Sequence, residues 1–275
     1  MEKINSVKCF CKLNKPKVKF IYKSKPKYET NFFIKKKNYF RKIIQCKACD
    51  HLYSQHKIDL SRLYDGKYLK STYGTLEKLK VQTEKILNYP LKKSDNKNRV
   101  MRINKFIRKK LNIRKIHILD FGSGLGVFPY EMKKNSRINI IAYEKDKLYR
   151  KHHVQNLNLK SEAVSLINLT TKYKNKFNLI TFNKVLEHIK KPELILKKIC
   201  KMLDNKSYIY IELPSCNASI EGKLREEFFI DHFHIFSKRS LEQMCEKSGF
   251  KSIHIKEYRD PSNKYSIYGF FKKKN

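Results

Sequence analysis

Apolar residues in the second half of the chain follow two alternating patterns. Short apolar runs bounded by polar or turn residues predict seven strands, at 115–119, 137–143, 161–167, 177–183, 207–214, 252–258 and 265–271. Between these runs apolar residues recur every three or four positions, which predicts helices at 127–134, 146–158, 194–203 and 238–247. A further helix, capped by Ser94, precedes the first strand. This alternation predicts an α/β fold with a mainly parallel sheet and an antiparallel last pair.

A glycine-rich turn follows the first predicted strand. Asp120 closes the apolar run, Ser123 lies in the turn, and glycines occupy positions 122, 124 and 126. Glycine permits positive φ and close approach of a ligand, and the helix that follows offers free N–H groups. The third glycine comes one residue earlier than in the dinucleotide-binding pattern. From this segment alone, an ordinary tight strand-to-helix turn remains the alternative.

An acidic residue, Glu144, ends the second predicted strand, about one helix and one strand beyond the glycine turn. In open α/β sheets ligands bind beyond the carboxyl ends of the strands. A carboxylate at that position can accept hydrogen bonds from both hydroxyls of a ribose. Glu144 therefore indicates a nucleoside ligand, and a solvated acid at a strand end is the alternative.

A second motif follows the fourth predicted strand and reads Asn183-Lys-Val-Leu-Glu-His188. Together with the Asp-x-Gly-x-Gly-x-Gly turn, it resembles the class I S-adenosylmethionine-dependent methyltransferases, over residues 96–271. The resemblance implies a seven-stranded Rossmann-like sheet with helices on both faces and S-adenosylmethionine as cofactor. It further implies a set of cofactor-binding residues: Asp120, Gly122, Ser123, Gly124, Gly126, Glu144, Asn168, Asn183 and Val185. Asn168 is included because many relatives carry an adenine-binding Asp after the third strand.

Three histidines are candidate catalytic residues. His188 ends the second motif, and His232 and His234 belong to the run His-Phe-His-Ile-Phe-Ser, which resembles the same methyltransferase subfamily. Alternation places His232 and His234 on one side of an extended segment, where they can act as a general base or bind an anionic substrate. Structural hydrogen bonding is the alternative for this pair. Glu187 either faces the substrate or is a carboxylate favoured by a helix N-terminus.

Two close cysteine pairs lie near the N-terminus, Cys9 with Cys11 and Cys46 with Cys49. Four thiolates on two turns can hold a structural Zn²⁺, and reduced core cysteines are the alternative. Strands are predicted between the pairs, at 18–22 and 31–35. The histidines at 51 and 56 are spare ligand candidates, but they are interpreted as surface residues. A zinc-type module ahead of a methyltransferase domain is similar to the arrangement in sugar C-methyltransferases.

The 275 residues are predicted to divide into a cysteine-paired module (1–60), a helical connector (61–95) and a cofactor-binding domain (96–275). No apolar run is long enough to span a bilayer, and the first residues lack the apolar core of a signal peptide, so a cytoplasmic location is expected.

The net charge of +38 admits an anionic partner, although the lysines are spread over the whole chain, as biased codon usage alone would produce. The chain lacks the Asn/Asp-Pro-Pro-Tyr and Pro-Cys motifs of nucleic-acid methylases. We therefore expect a small, anionic methyl acceptor, such as a nucleotide-linked sugar or a surface-polysaccharide precursor. The alternatives are an RNA or protein methyltransferase and an inactive, zinc-bearing module that binds nucleic acid.

Overall fold

The computed structural model describes residues 7–29, 39–58, 60 and 75–274, which form two sheets and the helices around them. The strands are β1 (Pro16–Tyr22), β2 (Arg41–Cys46), β3 (Leu52–His56), β4 (Ile116–Phe121), β5 (Ile138–Tyr143), β6 (Lys160–Glu162), β7 (Leu179–Asn183), β8 (Tyr208–Pro214), β9 (His234–Ile235), β10 (Phe250–Arg259) and β11 (Tyr265–Lys273). The α-helices are α1 (Leu76–Asn88), α2 (Asp95–Lys110), α3 (Val127–Lys133), α4 (Lys147–Leu157), α5 (Leu166–Lys172), α6 (Pro192–Met202) and α7 (Lys238–Lys247). Short 3₁₀ turns lie at Leu91–Lys93, Leu186–His188, Cys216–Glu221 and Glu226–Phe228.

The larger sheet has seven strands in the order β10-β11-β8-β7-β4-β5-β6. Strands β4 to β8 are parallel, whereas β11 is antiparallel to both of its neighbours. The predicted α/β fold with seven strands and an antiparallel last pair is therefore confirmed. Because β4 and β7 are adjacent at the centre, the turns that follow them meet at the same edge of the sheet.

The third predicted strand is much shorter than the sequence pattern indicated. β6 ends at Glu162, and the residues from Leu166 onward form α5 instead. Ser165 caps this helix, because its hydroxyl accepts a hydrogen bond from the backbone N–H of Asn168. The strand predicted over 161–167 was therefore wrong in its second half, because the cap formed by Ser165 favours a helix over strand pairing there.

Helices cover both faces of the seven-stranded sheet, and β4 supplies side chains to both cores. Ile116 and Ile118 point into one apolar cluster, which includes Ile103 and Ile107 of α2. Leu119 lies in the opposite cluster, together with residues of α6 and α7. The alternation of side chains along a strand thus places β4 at the centre of two helical layers.

The smaller sheet joins the N-terminal segment to the second half of the chain. Its strand order is β1-β2-β3-β9. The last of these, β9, follows β8 of the larger sheet along the chain and pairs with β3. Arg41 of β2 pairs with Glu29 at 3.1 Å, and both side chains are fully buried. Glu29 also accepts a hydrogen bond from the backbone N–H of Ile230 at 2.6 Å. The N-terminal strands therefore share a sheet and a buried ion pair with the segment after β8.

Several predictions concern this N-terminal region. The strand predicted at 18–22 is confirmed by β1, whereas the strand predicted at 31–35 lies outside the described residues. His51 and His56 are buried, so the surface interpretation was wrong, because β9 and the Phe233 side chain cover this face of β3. The division at residues 60 and 95 stays a prediction. Every helix within the described ranges is too short or too polar to cross a bilayer.

Candidate active site

The glycine turn after β4 is held in a conformation that side chains would disturb. Gly122 has a φ of 75°, and a Cβ there would lie 2.7 Å from Cγ2 of Val185, so Val185 covers the turn. Gly124 has a φ of 49°, and a Cβ built on it would have no neighbouring atom within 4 Å. The turn therefore presents bare backbone to open space at Gly124, a cradle that a ligand can fill.

Glu144, directly after β5, lies against this turn. Its Oε2 accepts a hydrogen bond from the backbone N–H of Gly124 at 2.9 Å, and its Oε1 accepts one from Asp146 at 3.0 Å. A carboxylate has about four acceptor positions. Two positions remain, which suits the two vicinal hydroxyls of a ribose. The structure thus brings together the two sequence features on which the nucleoside interpretation depended.

Asp120 connects the central strands rather than pointing at open space. Its carboxylate accepts hydrogen bonds from the Thr181 hydroxyl and the Asn183 amide, both at 2.7 Å. Burial raises the pKa of Asp120 to about 6, against the opposing effect of these hydrogen bonds and one from Ser123. The amide oxygen of Asn183 accepts no hydrogen bond from the described residues. This buried oxygen therefore has hydrogen-bonding capacity that the described part of the chain does not use.

The motif after β7 forms a tight turn that carries Glu187 and His188 and meets His232 from the segment after β8. Glu187 is only 1% exposed, and its backbone carbonyl accepts a hydrogen bond from Phe233 at 2.7 Å. That bond brings His232 beside His188, with ring centroids 4.8 Å apart. The Nδ1 atom of His188 lies 3.0 Å from the Asp231 carbonyl, and that of His232 lies 3.0 Å from the Glu227 carbonyl.

The neutral form of His232 is favoured at this position. Burial lowers its pKa, Asp231 opposes that shift, and His188 reinforces it. Because a carbonyl can only accept, Nδ1 of His232 carries the proton and the lone pair is on Nε2. The arrangement provides a neutral imidazole beside the turn after β7, where it can accept a proton or bind a Lewis acid.

A family model described as a methyltransferase domain matches residues 93–255, more than half of the chain. The chain belongs to this family. The prediction that the protein is an enzyme, an S-adenosylmethionine-dependent methyltransferase, is thereby confirmed. No curated protein sequence matches the chain.

Solved structures similar to this methyltransferase share its fold at low sequence identity. A 1,6-didemethyltoxoflavin-N1-methyltransferase from Burkholderia thailandensis, solved with 1,6-didemethyltoxoflavin and S-adenosylhomocysteine, is 13% identical, with a TM-score of 0.58 over 92% of this chain and 100% of that one. A SAM-dependent methyltransferase from Archaeoglobus fulgidus is 15% identical, with a TM-score of 0.51 over 66% of this chain and 95% of that one. A putative sarcosine dimethylglycine methyltransferase from Galdieria sulphuraria is 12% identical, with a TM-score of 0.51 over 63% of this chain and 86% of that one.

Two predicted site residues of the methyltransferase lie apart from this cluster. Asn168 is exposed on the first turn of α5, and its backbone N–H serves the Ser165 cap. His234 is buried and faces the N-terminal segment, with Nδ1 3.0 Å from Nε2 of His51 and Nε2 3.2 Å from the Lys190 carbonyl. Although His232 and His234 are two positions apart, the structure turns them toward different neighbours.

The four N-terminal cysteines of the methyltransferase converge. All four sulfur atoms lie within 4.8 Å of one another, with Cys9 Sγ 3.1 Å from Cys49 Sγ and Cys11 Sγ 3.3 Å from Cys46 Sγ. Ligands at about 2.3 Å from a tetrahedral Zn²⁺ are separated by about 3.8 Å, so these residues fit the ion. Hydrogen bonding by Cys9 lowers the pKa of the Cys49 thiol to about 6, while the pKa of Cys9 is raised.

Two further groups support the site and carried no recognisable sequence signal. His153 of α4 lies with Nε2 2.7 Å from the Gly124 carbonyl and Nδ1 3.0 Å from the Ser161 hydroxyl, which holds the glycine turn in place. Glu212, which pairs with Asn183 across β7 and β8, binds Arg99 at 3.0 Å. Burial raises the pKa of Glu212, but Arg99, Lys184 and Arg102 together outweigh it, so the net pKa is lowered. Only the three-dimensional contacts reveal these roles.

Proposed function

We propose that the protein transfers a methyl group from S-adenosylmethionine, bound at the glycine turn and Glu144, to a small-molecule acceptor beside His188 and His232. The observation that carries this proposal is the hydrogen bond from Gly124 to Glu144, which holds the carboxylate that we assign to the ribose against open glycine backbone. Both groups lie at the carboxyl ends of adjacent parallel strands, where α/β sheets bind nucleotides.

The cofactor supplies, when bound, a methyl group on a positively charged sulfur that a nucleophile can displace. The protein's own residues do the positioning. The remaining acceptor positions of Glu144 receive the ribose hydroxyls, and the Asn183 amide oxygen receives the ammonium of the methionine part. Holding nucleophile, methyl and sulfur in line accounts for several kcal/mol of the barrier reduction, by analogy with other well-oriented reactions.

The acceptor side is assigned to the histidine pair. His232 keeps a neutral ring whose Nε2 lone pair is not used by its hydrogen bond to Glu227. His188 is held by Asp231, which also places a carboxylate oxygen 3.6 Å from Nδ1. Such a pair assists removal of a proton from a hydroxyl or carbon acid as the methyl group is transferred.

For the acceptor itself we favour an anionic metabolite, a nucleotide-linked sugar or a surface-polysaccharide precursor. The net charge of +38 suits a diphosphate, and the toxoflavin enzyme among the similar structures acts on a small molecule. The N-terminal strands pack on the segment that carries His232, so this region contributes to the acceptor side. We propose that Zn²⁺ at Cys9, Cys11, Cys46 and Cys49 stabilises that packing.

Calorimetry with S-adenosylhomocysteine tests the cofactor site. Glu144→Ala removes both ribose contacts, so we expect affinity to fall at least about 100-fold, since two hydrogen bonds to a charged group contribute about 1.5–3 kcal/mol each. Gly124→Ala inserts a methyl group into the open cradle and should weaken binding as well. Gly222→Ala is the matched control, because Gly222 also has a positive φ and open space around its Cβ but lies after the Cys216–Glu221 turn. Native affinity in Glu144→Ala would contradict the proposal.

A nucleic-acid acceptor is the alternative that the charge supports. Binding of single-stranded RNA at increasing salt distinguishes the two, because contacts to phosphates give a steep decline of log K with log salt. A steep slope together with methyl transfer to RNA would favour the alternative. A screen of nucleotide sugars with labelled cofactor tests the favoured class directly.

A further inference from the structure

A second group of metal-binding side chains lies on the acceptor side, separate from the cysteines. One carboxylate oxygen of Glu187 and one ring nitrogen each of His188 and His232 all lie within 4.8 Å of one another. His188 follows Glu187 in the same 3₁₀ turn, whereas His232 comes from the segment after β8. Two imidazoles and a carboxylate form a donor set that proteins use for divalent transition metals with open coordination positions.

The buried carboxylate of Glu187 indicates that a ligand belongs here. Glu187 is 1% exposed, and its Oε2 has no hydrogen-bond partner among the described residues. A buried carboxylate without a partner is costly, so such groups are normally paired or bound to a metal. A cation between Glu187 and the two rings would satisfy this oxygen.

The histidines are already oriented in the way that metal ligands require. Nδ1 of His188 is directed at the Asp231 carbonyl and Nδ1 of His232 at the Glu227 carbonyl, both at 3.0 Å. Metal-binding histidines typically donate their second ring N–H to a carbonyl or carboxylate, which fixes the tautomer and the ring direction. Tetrahedral ligation at about 2.1 Å needs ligand atoms about 3.4 Å apart, which modest side-chain rotations provide.

We infer that Glu187, His188 and His232 bind a divalent transition-metal ion on the acceptor side of the site. Three protein ligands leave coordination positions for an oxygen of the acceptor. The role of these open positions rests on the proposed function. A hydroxyl of the acceptor that binds the ion loses its proton to solvent. Its oxygen then forms the new O–CH₃ bond while the C–S bond breaks, and the electron pair of that bond goes to sulfur. The inference therefore favours an oxygen nucleophile over nitrogen or carbon.

Cobalt(II) titration of the metal-free full-length chain tests the ion site, because thiolate-bound cobalt absorbs strongly in the near ultraviolet and cobalt bound by nitrogen and oxygen does not. We expect two ions per wild-type chain, one of each kind. Glu187→Gln and His188→Ala should each weaken the second ion at least tenfold and leave the thiolate signal unchanged. His254→Gln, an exposed histidine on β10, is the control and should retain both ions.

The outcomes separate the ion from the cofactor. A single ion of the thiolate kind in the wild-type chain, or an unchanged second ion in both variants, would overturn the inference. Binding of S-adenosylhomocysteine, measured on the same samples, reports independently on the proposed function. Retained S-adenosylhomocysteine binding with no second ion would remove the metal and leave the methyltransferase assignment intact. A second ion without S-adenosylhomocysteine binding would support the metal site and contradict the proposed cofactor site.

Discussion

His51 and His234 form one pair of neighbouring rings, and His188 and His232 form another. The two pairs differ in what their ring nitrogens contact. His51 and His234 use all four nitrogens on protein partners, namely Ser240, one another and the Lys190 carbonyl. In the other pair, His188 and His232 each direct Nδ1 at a carbonyl, and the buried Glu187 beside them has an unpartnered oxygen. The first pair ties β9 to α7 and to the carbonyl of Lys190, whereas the second pair lies beside the buried carboxylate of Glu187.

The comparison shows that the two pairs are distinguished by the groups their ring nitrogens contact, not by the place of each histidine in a motif. His232 and His234 belong to one short run, yet only His232 joins the turn after β7. The ring of His234 instead lies tilted against the rings of Phe10 and His51 from the N-terminal segment. The following predictions test this difference.

The largest effect is expected on catalysis. His232→Ala removes the imidazole on the acceptor side, so kcat should fall about 100-fold or more, the usual contribution of a positioned acid, base or ligand. Affinity for S-adenosylhomocysteine should stay within about threefold, because the glycine turn and Glu144 are untouched. Steady-state kinetics and calorimetry check this. Wild-type kcat in the variant would remove the histidine pair from the mechanism.

A large effect on stability is expected at the other pair. His234→Ala leaves His51 and the Lys190 carbonyl without their partner in a buried site, and should lower the free energy of unfolding by about 2–4 kcal/mol. His188→Ala, at a half-exposed position, should cost less than about 1 kcal/mol. Urea denaturation of both variants measures the difference. Equal losses would mean that the two pairs do not differ as described.

A pH effect of intermediate size follows from the buried pair. Burial lowers the pKa of His234 to about 4, below the value of about 6.5 in an unfolded chain, so the unfolded state binds the proton more readily. Stability from this group is therefore complete above pH 6.5 and is lost at up to about 1.4 kcal/mol per pH unit as the pH falls toward 4. Urea denaturation at pH 7 and 5.5 should show this loss.

His234→Gln provides the control for that measurement, because it cannot titrate. Its stability should decline less between pH 7 and 5.5 than that of the wild-type chain, in which His51 and other buried histidines also titrate. An equal decline would show that His234 does not contribute.

The smallest effect is expected at Asp231. Asp231→Asn removes a partly exposed carboxylate 3.6 Å from His188 Nδ1 but retains the backbone carbonyl that orients the ring. Exposed charge pairs contribute about 0–1 kcal/mol, so kcat should change by less than about fivefold with KM nearly constant. Steady-state kinetics measure both constants. A loss as large as that of His232→Ala would give the carboxylate a much greater role.

Local sequence determined most of the sheet and the cofactor side of the site. Apolar runs located the strands, and the glycine spacing with Glu144 indicated a nucleoside site whose two parts touch in the structure. These signals are local, because strand and helix periodicity and glycine conformations act over a few residues. The third strand was overestimated since a single cap at Ser165 ended the extended segment early.

Tertiary structure alone decided which residues meet at the proposed acceptor side. His232 contacts His188 from 44 positions away along the chain, His51 contacts His234 where β3 and β9 are paired, and Glu212 binds Arg99 of α2. Each contact depends on how strands are ordered and how an N-terminal segment completes a distant sheet. Such long-range contacts cannot be predicted from hydrophobic periodicity, because each side chain contacts a partner that is distant in sequence rather than its sequence neighbours.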